Sequence, residues 1–215
     1  INAFIDLYNE GKIYKGYRLV NWDPASKSAI SDEEVIPRPT SGKLWYIKYP
    51  VKDSGKYIVV ATTRPETMLG DTAIAVNPND ERFTAFIGKT VMLPLVNKEI
   101  PVIADEYVEK EFGTGAVKVT PAHDFNDYEM GQRHNLEMIN IFHPDASTND
   151  KVPEKYRGLD RYEARKQVVS DLEKEGYLEK IEDYQNNVGY SERGGVPIEP
   201  YLSEQWFMKM DELSK

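Results

Sequence analysis

Between residues 42 and 120 the apolar positions come in short β-like runs, at 44–49, 57–62, 72–76, 90–95, 100–104 and 116–120, separated by Gly, Asn, Asp and Pro. So many brief strands leave edges that must be protected. The pattern therefore predicts an α+β, β-rich fold: a compact, closed or nearly closed β-barrel over 42–185 with peripheral helices. Further strands are expected at 138–142 and 177–184, with a polar loop at 143–156 between them. Helical spacing marks three other places. Ala3, Phe4, Leu7 and Tyr8 share a face that stops at Gly11; a second helix opens at Asp124; the third covers 160–175. In the third, Asp160 caps the start, Glu163 completes a capping box, Ala164, Val168 and Leu172 form the buried stripe, and Gly176 ends it. Two extended arms flank this core, 17–36 with a turn at Asp23-Pro24-Ala25-Ser26, and 187–201 with a turn at Gly194-Gly195. They are expected to pair as a ribbon, dividing the chain into 1–41, 42–185 and 186–215.

Two strand-to-helix corners carry the candidate chemistry. In GTGAVKVTPAHDFNDYEMGQRHNL, 113–136, a strand leads through Pro121-Ala122-His123 into a helix entered at Asp124. Asp124 and Asp127 both fall in its first turn, either as a capping arrangement that offsets the helix dipole or as a pair facing whatever lies beyond the strand end. In ATTRPETMLGD, 61–71, Thr63 is the expected N-cap, with Pro65 in the first turn, Glu66 at the capping-box position and Gly70 as the stop. Two corners loaded with Thr, Arg, Asp and His point to one crevice.

These two stretches, ATTRPETMLGDTAIAVNP followed by the 113–136 segment, resemble the editing domain inserted in the catalytic fold of valyl-tRNA synthetase, a class I aminoacyl-tRNA synthetase. The resemblance covers essentially the whole chain. Leucine enzymes typically read TRPD where this chain has Arg64-Pro65-Glu66 after Thr63, and isoleucine enzymes depart further; the run from Pro121 to Tyr128 is also valine-like. Because a valine pocket rejects threonine only weakly, this enzyme being the standard illustration at about a hundredfold, a second, hydrolytic site is the remedy. The resemblance thus implies hydrolysis of the ester of mischarged Thr-tRNA(Val), and extends to threonyl-adenylate as a second candidate substrate. The alternatives are a non-catalytic module that holds the tRNA 3′ end or docks on the parent enzyme, and an editing domain of isoleucyl or leucyl type.

Such a site needs an acceptor for the threonine hydroxyl, a partner for the substrate ammonium and a water set against the ester carbonyl. By resemblance, Asp127 grips the amino acid; Asp124 and His123 line the same pocket, with the recognition tasks undivided among the three. Arg64 and Thr67, on the opposite corner, would face the terminal adenosine and the water, while Glu66 caps its helix. Thr67, Lys118 and Asp127 are the catalytic candidates, and Arg64, Phe112, Lys118, Thr120, His123, Asp124 and Asp127 those for substrate binding. Lys118 and Thr120 alternate with Val117 and Val119 and so share a face. A lysine directed into a barrel end calls for an anion, such as the 3′ nucleotide or the developing oxyanion, unless it reaches solvent from the strand end. Phe112 either stacks on the adenine or joins the core, and the glycines of Gly113-Thr114-Gly115 would let backbone approach the ligand. Arg161, Arg165 and Lys166 are read as a solvated helix face, with tRNA backbone as the alternative, and His134 and His143 as structural or exposed.

With no Cys and no Ser in a G-x-S-x-G setting, a side-chain nucleophile is not expected, and carboxylates on one helix turn cannot flank a glycosidic bond. The expectation is metal-free, cofactor-free hydrolysis by a positioned water, helped by orientation and by the vicinal ribose hydroxyl. In some relatives a cysteine pair in the first arm's turn helps bind zinc; Asp23 and Ser26 stand there instead. ATP would be used only by the parent's catalytic domain, onto which Trp206, Phe207 and Met208 would pack. The 215 residues are 40% apolar, enough for one substantial core, and carry a formal net charge of −9. That sign opposes binding through many phosphates and favours a domain that receives only the end of a nucleic acid; the alternative is a charge that serves solubility alone, the commoner case for acidic domains. No run is long and apolar enough to span a bilayer, and the absence of Cys fits a cytoplasmic protein; a monomer is expected. The chain opens on Ile1 in apparent mid-helix, as an excised piece of a longer protein would.

Overall fold

The computed structural model describes residues 1–210; positions 211–215 of the return arm lie outside the described residues. After helix α1 (Asn2–Asn9) come β1 (Ile13–Asp23), β2 (Ser28–Ala29), β3 (Val35–Pro50), β4 (Tyr57–Thr62), a 3₁₀ turn (Pro65–Gly70) and β5 (Ala73–Val76). They are followed by β6 (Thr90–Leu93), β7 (Lys98–Ala104), β8 (Ala116–Val119), α2 (Phe125–Arg133), α3 (Arg161–Lys174), β9 (Leu178–Ser191) and β10 (Glu199–Met208). The strands form sheets ordered β10-β1-β2, β4-β3-β9 and β6-β7-β5-β8. Every pairing is antiparallel except β5 with β7.

The β-rich α+β fold is as the pattern predicts, but the barrel does not close. The second and third sheets meet at a bridge between Val51 and Val91. On the other side β4 and β8 lie beside each other with no ladder between them. Both strands run into the two loaded corners, and the Thr120 N–H, next after β8, is taken by the Asp127 carboxylate.

Strand β5, Ala-Ile-Ala-Val, is buried at all four positions because it is covered on both faces. Ile74 and Val76 enter the main core with Ile47, Tyr49, Val60 and Ile100, whereas Ala73 and Ala75 face Met130 of α2. Small residues on that side let the helix approach, so the Asp124–Asp127 turn sits close over the sheet. In α3 the expected stripe, Ala164, Val168 and Leu172, is fully buried and Asp160 accepts the Tyr162 N–H; Glu163 pairs with Lys166 instead of completing a box.

The arms pair as a double ribbon. β1 runs against β10 from Ile13↔Met208 to Trp22↔Glu199, and the first half of β3 against β9 from Val35↔Ser191. β9 thus continues well past the predicted stop at 184, and the return after the Asp23 turn pairs over Ser28–Ala29 alone. Trp206 packs edge-on against Phe4 and Tyr8 of α1, with ring centroids 5.2 and 5.8 Å away. Residues 138–142 are irregular instead of a strand, although Ile141 and Phe142 are core residues. Their backbone N–H groups are met by side chains, Ile141 N–H by His123 and Phe142 N–H by Asn140, and Phe142 makes a lone bridge with Thr148.

Candidate active site at two strand-to-helix corners

Helix α2 starts where Asp124 takes an extended backbone and its carboxylate accepts the N–H groups of Asn126 and Asp127, at 2.9 and 3.2 Å. Asp124 itself is exposed. Asp127 points the other way: it is 7% exposed, and its Oδ2 accepts the Thr120 N–H at 2.8 Å. The two acids therefore divide the readings between them, Asp124 capping and Asp127 turned into the corner. Burial and then repulsion from Asp124 push the Asp127 carboxyl up to about 7, against the pull of Lys118 and the Thr120 N–H. Asp124→Ala should cost about 1 kcal/mol in a urea melt, the usual loss for an N-cap, and should lower the Asp127 pKa by removing the neighbouring charge; an unchanged melt would show the cap is idle.

Lys118 and Thr120 do share a face, and both are buried. The anion that the lysine requires is supplied by the chain itself. Asp71, just after the 3₁₀ turn and fully buried, accepts from Lys118 Nζ at 3.2 Å and from the Thr120 hydroxyl at 2.5 Å on Oδ1, and from the Tyr49 hydroxyl at 2.7 Å on Oδ2. Lys118 also donates to Thr120 Oγ1. Burial raises the Asp71 pKa, and Lys118, Thr120 and Tyr49 pull it back. Asp71 lies 47 residues from Lys118, which is why no local pattern exposed it as a site residue.

On the first corner Arg64, not Thr63, is the N-cap position of the 3₁₀ turn. Its guanidinium donates to His123 O at 3.0 Å and to Glu199, and lies 3.4 Å from Glu66. Glu66 does not cap. It is fully buried and takes a bidentate pair from Arg165, at 2.7 and 2.8 Å. Burial raises the Glu66 pKa, but Arg165 and Arg64 outweigh that and hold it below the ordinary value. Glu199 accepts from Arg161 as well, at 2.7 Å. Opposite charges thus alternate as Arg161, Glu199, Arg64, Glu66, Arg165, joining α3, β10 and the first corner. Arg161 and Arg165 are therefore not a solvated face; Lys166 is, pairing outside with Glu163.

Thr67 is buried and donates its hydroxyl to Arg64 O at 2.9 Å. His123 is 1% exposed; its Nε2 accepts the Ile141 N–H at 3.0 Å, which puts the ring proton on Nδ1. Burial, with Arg64 and Lys118 nearby, holds it well below the usual histidine pKa, so it stays neutral and braces the corner against 139–142. Phe112 is 63% exposed, outside the core, in a loop whose Gly113 lies against Ala61 at the end of β4. Gly115 serves the fold: it has φ +79°, and a Cβ there would stand 2.8 Å from Lys110 O. His134 is bound to Asp105 at 2.9 Å. In the arm's turn, Asp23 is buried and accepts from Ala25 N, Ser26 N and the Ser191 hydroxyl. A cleft of about 500 Å³ touches the first corner through Leu69 and Asp71 and is walled by Met138, Ile139 and Asn140. The larger one, about 620 Å³, lies at the Asp53–Lys56 turn and touches neither corner.

Known proteins resemble this chain over nearly its whole length. The family model described as "Leucyl-tRNA synthetase, editing domain" matches residues 79–185. The Valine--tRNA ligases of Francisella tularensis, Coxiella burnetii and Thermotoga maritima are 59%, 57% and 60% identical to it over 213 residues, 99% of this chain. The chain spans 23–24% of the length of these relatives. Among solved structures, a LeuRS from Agrobacterium radiobacter K84, in a ternary complex with tRNA and LeuAMS, aligns over 93% of this chain and 32% of its own with a TM-score of 0.52. At 20% identity that likeness establishes the fold. The relatives align through both corners, including the one at 61–71 that the family model leaves out, and the chain accordingly belongs to the editing-domain family of aminoacyl-tRNA synthetases, in the form carried within valine--tRNA ligases.

Proposed function

We propose that the domain hydrolyses the ester joining threonine to the 3′ end of tRNA(Val). The observation that carries this reading is Asp127: a buried carboxylate with one oxygen held by the Thr120 N–H, set beside the Lys118–Thr120–Asp71 cluster, on a corner that Arg64 joins through His123 O. Its Oδ1 accepts from no described residue and can take the substrate ammonium. Arg64, pinned by Glu199 and Glu66, would meet the terminal nucleotide, with Phe112 as an exposed ring for stacking on the adenine. Water adds to the ester carbonyl, the bond to the ribose oxygen breaks, and that oxygen leaves as the ribose hydroxyl. The partners are the 3′ end of tRNA(Val) and the catalytic domain of a longer enzyme, which alone would use ATP; no cofactor or metal is assigned to this domain, and we place it in the cytoplasm as a monomer.

A buried polar site rejects an isostere lacking its hydroxyl by about 10⁴-fold. Incubated at high protein concentration, the chain should therefore consume Thr-tRNA(Val) while leaving Val-tRNA(Val) essentially intact. Equal rates on both would sink the reading, and binding of the charged tRNA without hydrolysis would make the domain a docking module.

A further inference from the structure

We propose that Asp71, held by Tyr49, is a positioning residue that sets the hydrogen-bonding polarity of Lys118 and Thr120 and thereby makes the site select a hydroxyl. This rests on the reading of the domain as a threonyl-ester hydrolase. All but one of the donatable protons in this cluster are committed. The Tyr49 hydroxyl has one and donates it to Asp71 Oδ2; the Thr120 hydroxyl has one and donates it to Asp71 Oδ1. Of the three N–H groups of Lys118, one goes to Asp71 and one to Thr120 Oγ1. What remains is one lysine N–H that can only donate and one lone pair on Thr120 Oγ1 that can only accept. A side-chain hydroxyl, which does both, satisfies the two together; the methyl of valine satisfies neither and leaves both desolvated and unpaired.

The placement suits the substrate. In threonine the ammonium and the hydroxyl sit on adjacent carbons, so a hydroxyl reader has to adjoin the ammonium acceptor. Asp127, the proposed acceptor, is bonded to the backbone N–H of Thr120 itself. Asp71 is what fixes the polarity. All four side chains are buried and come from three separate places, β3, the first corner and the end of β8, so each hydroxyl is held by protein partners. With an amide at position 71 Lys118 loses its counter-charge, and the Thr120 proton keeps an acceptor in only one of the amide's two orientations. Tyr49, fully buried on the side of Asp71 away from Lys118, anchors the carboxylate from behind.

The test separates selectivity from catalysis. Adenosine carrying threonine or valine through a 3′ amide, which cannot be hydrolysed as an ester, is titrated against the 215-residue chain and its variants, with folding followed by circular dichroism. The unaltered chain should prefer the threonyl compound at least about tenfold, and Asp71→Asn should reduce the preference to within about twofold by weakening the threonyl compound alone. Tyr49→Phe, which removes one hydroxyl and keeps the ion pair, should give an intermediate preference and covers the case in which Asp71→Asn does not fold. In a Lys118→Met background Asp71→Asn should change the preference no further. An equal loss for both compounds, an additive effect in the Lys118→Met background, or no preference in the unaltered chain would overturn the inference. Failure of the unaltered chain to hydrolyse Thr-tRNA(Val), with the preference intact, would overturn the hydrolase reading and leave the hydroxyl reader standing.

Discussion

Asp127→Asn should abolish hydrolysis of Thr-tRNA(Val), by more than about a hundredfold, and at the same time make the domain more stable at pH 8. The loss of activity follows from leaving the substrate ammonium in a buried corner without its carboxylate; removing one partner of such a pair costs about 3 kcal/mol or more, which is over a hundredfold. The gain in stability follows from the direction of the pKa shift. Burial and Asp124 hold the Asp127 carboxyl at about 7, above its ordinary value of 3.8, so the folded state favours the protonated form. The stability this contributes is present in acid and is lost as pH rises from the unfolded value through about 7; above that the fold carries a buried, repelled charge. Asparagine keeps an oxygen for the Thr120 N–H and never ionises, so the variant avoids that cost, on the order of a few kcal/mol at pH 8 and nothing near pH 4. Thermal melts of both proteins at pH 4 and pH 8 measure it, and a variant less stable than its parent at pH 8 would refute the assignment. The same protonation should appear in catalysis. The blank-corrected rate of the parent should rise with pH up to about 7, as the carboxylate that accepts the ammonium is formed, and the residual rate of Asp127→Asn should show no such rise.

Glu66→Ala should lower the melting temperature by about 10 °C. This carboxylate has no exposed surface and is held by two N–H···O bonds from Arg165, with Arg64 alongside. Removing it strands two guanidinium groups in a poorly solvated place, a class of change that costs about 3–5 kcal/mol, and in a domain of this size each kcal/mol moves the midpoint by about 2–4 °C. Combining Glu66→Leu with Arg165→Met should recover much of the loss, because the pair as a whole contributes little beyond what apolar packing would, whereas either half alone is an uncompensated charge. Hydrolysis should suffer in the double variant even where stability returns, since Arg64 would then be steadied by Glu199 alone among its carboxylates. A midpoint within about 2 °C of the parent in Glu66→Ala would show that the guanidinium groups find water.

These residues also mark how far the chain could be read unaided. Asp124, Asp160 and the stripe Ala164, Val168 and Leu172 were legible because each depends on neighbours within four positions. The strand alternation likewise put Lys118 and Thr120 on one face and demanded an anion for the lysine. What it could not name was the anion, since Asp71 is brought there across 47 residues. Arg161 and Arg165 differ from the expected solvated face for the same cause: on a helical wheel they fall beside the apolar stripe, which of the three cations only Lys166 opposes, and the folded chain places Glu199 and Glu66, 38 and 99 residues away, against them. The barrel stays open because strand number and length do not say which edges will pair: β4 and β8 lie side by side without a ladder, and the Thr120 N–H beyond β8 goes to the Asp127 carboxylate.

By itself, then, the order of residues determined the helices and most strands, the Asp124 and Asp160 caps, the two corners and, through their motifs, the family. The tertiary structure alone decided which acid is a cap and which is a buried acceptor, which carboxylate neutralises Lys118, and what holds Arg64 still. The physical reason is range. Helix, turn and strand preferences are settled by backbone torsions and contacts a few residues apart, whereas a buried charge is tolerable only beside its opposite, and that opposite is delivered by packing from anywhere in the chain.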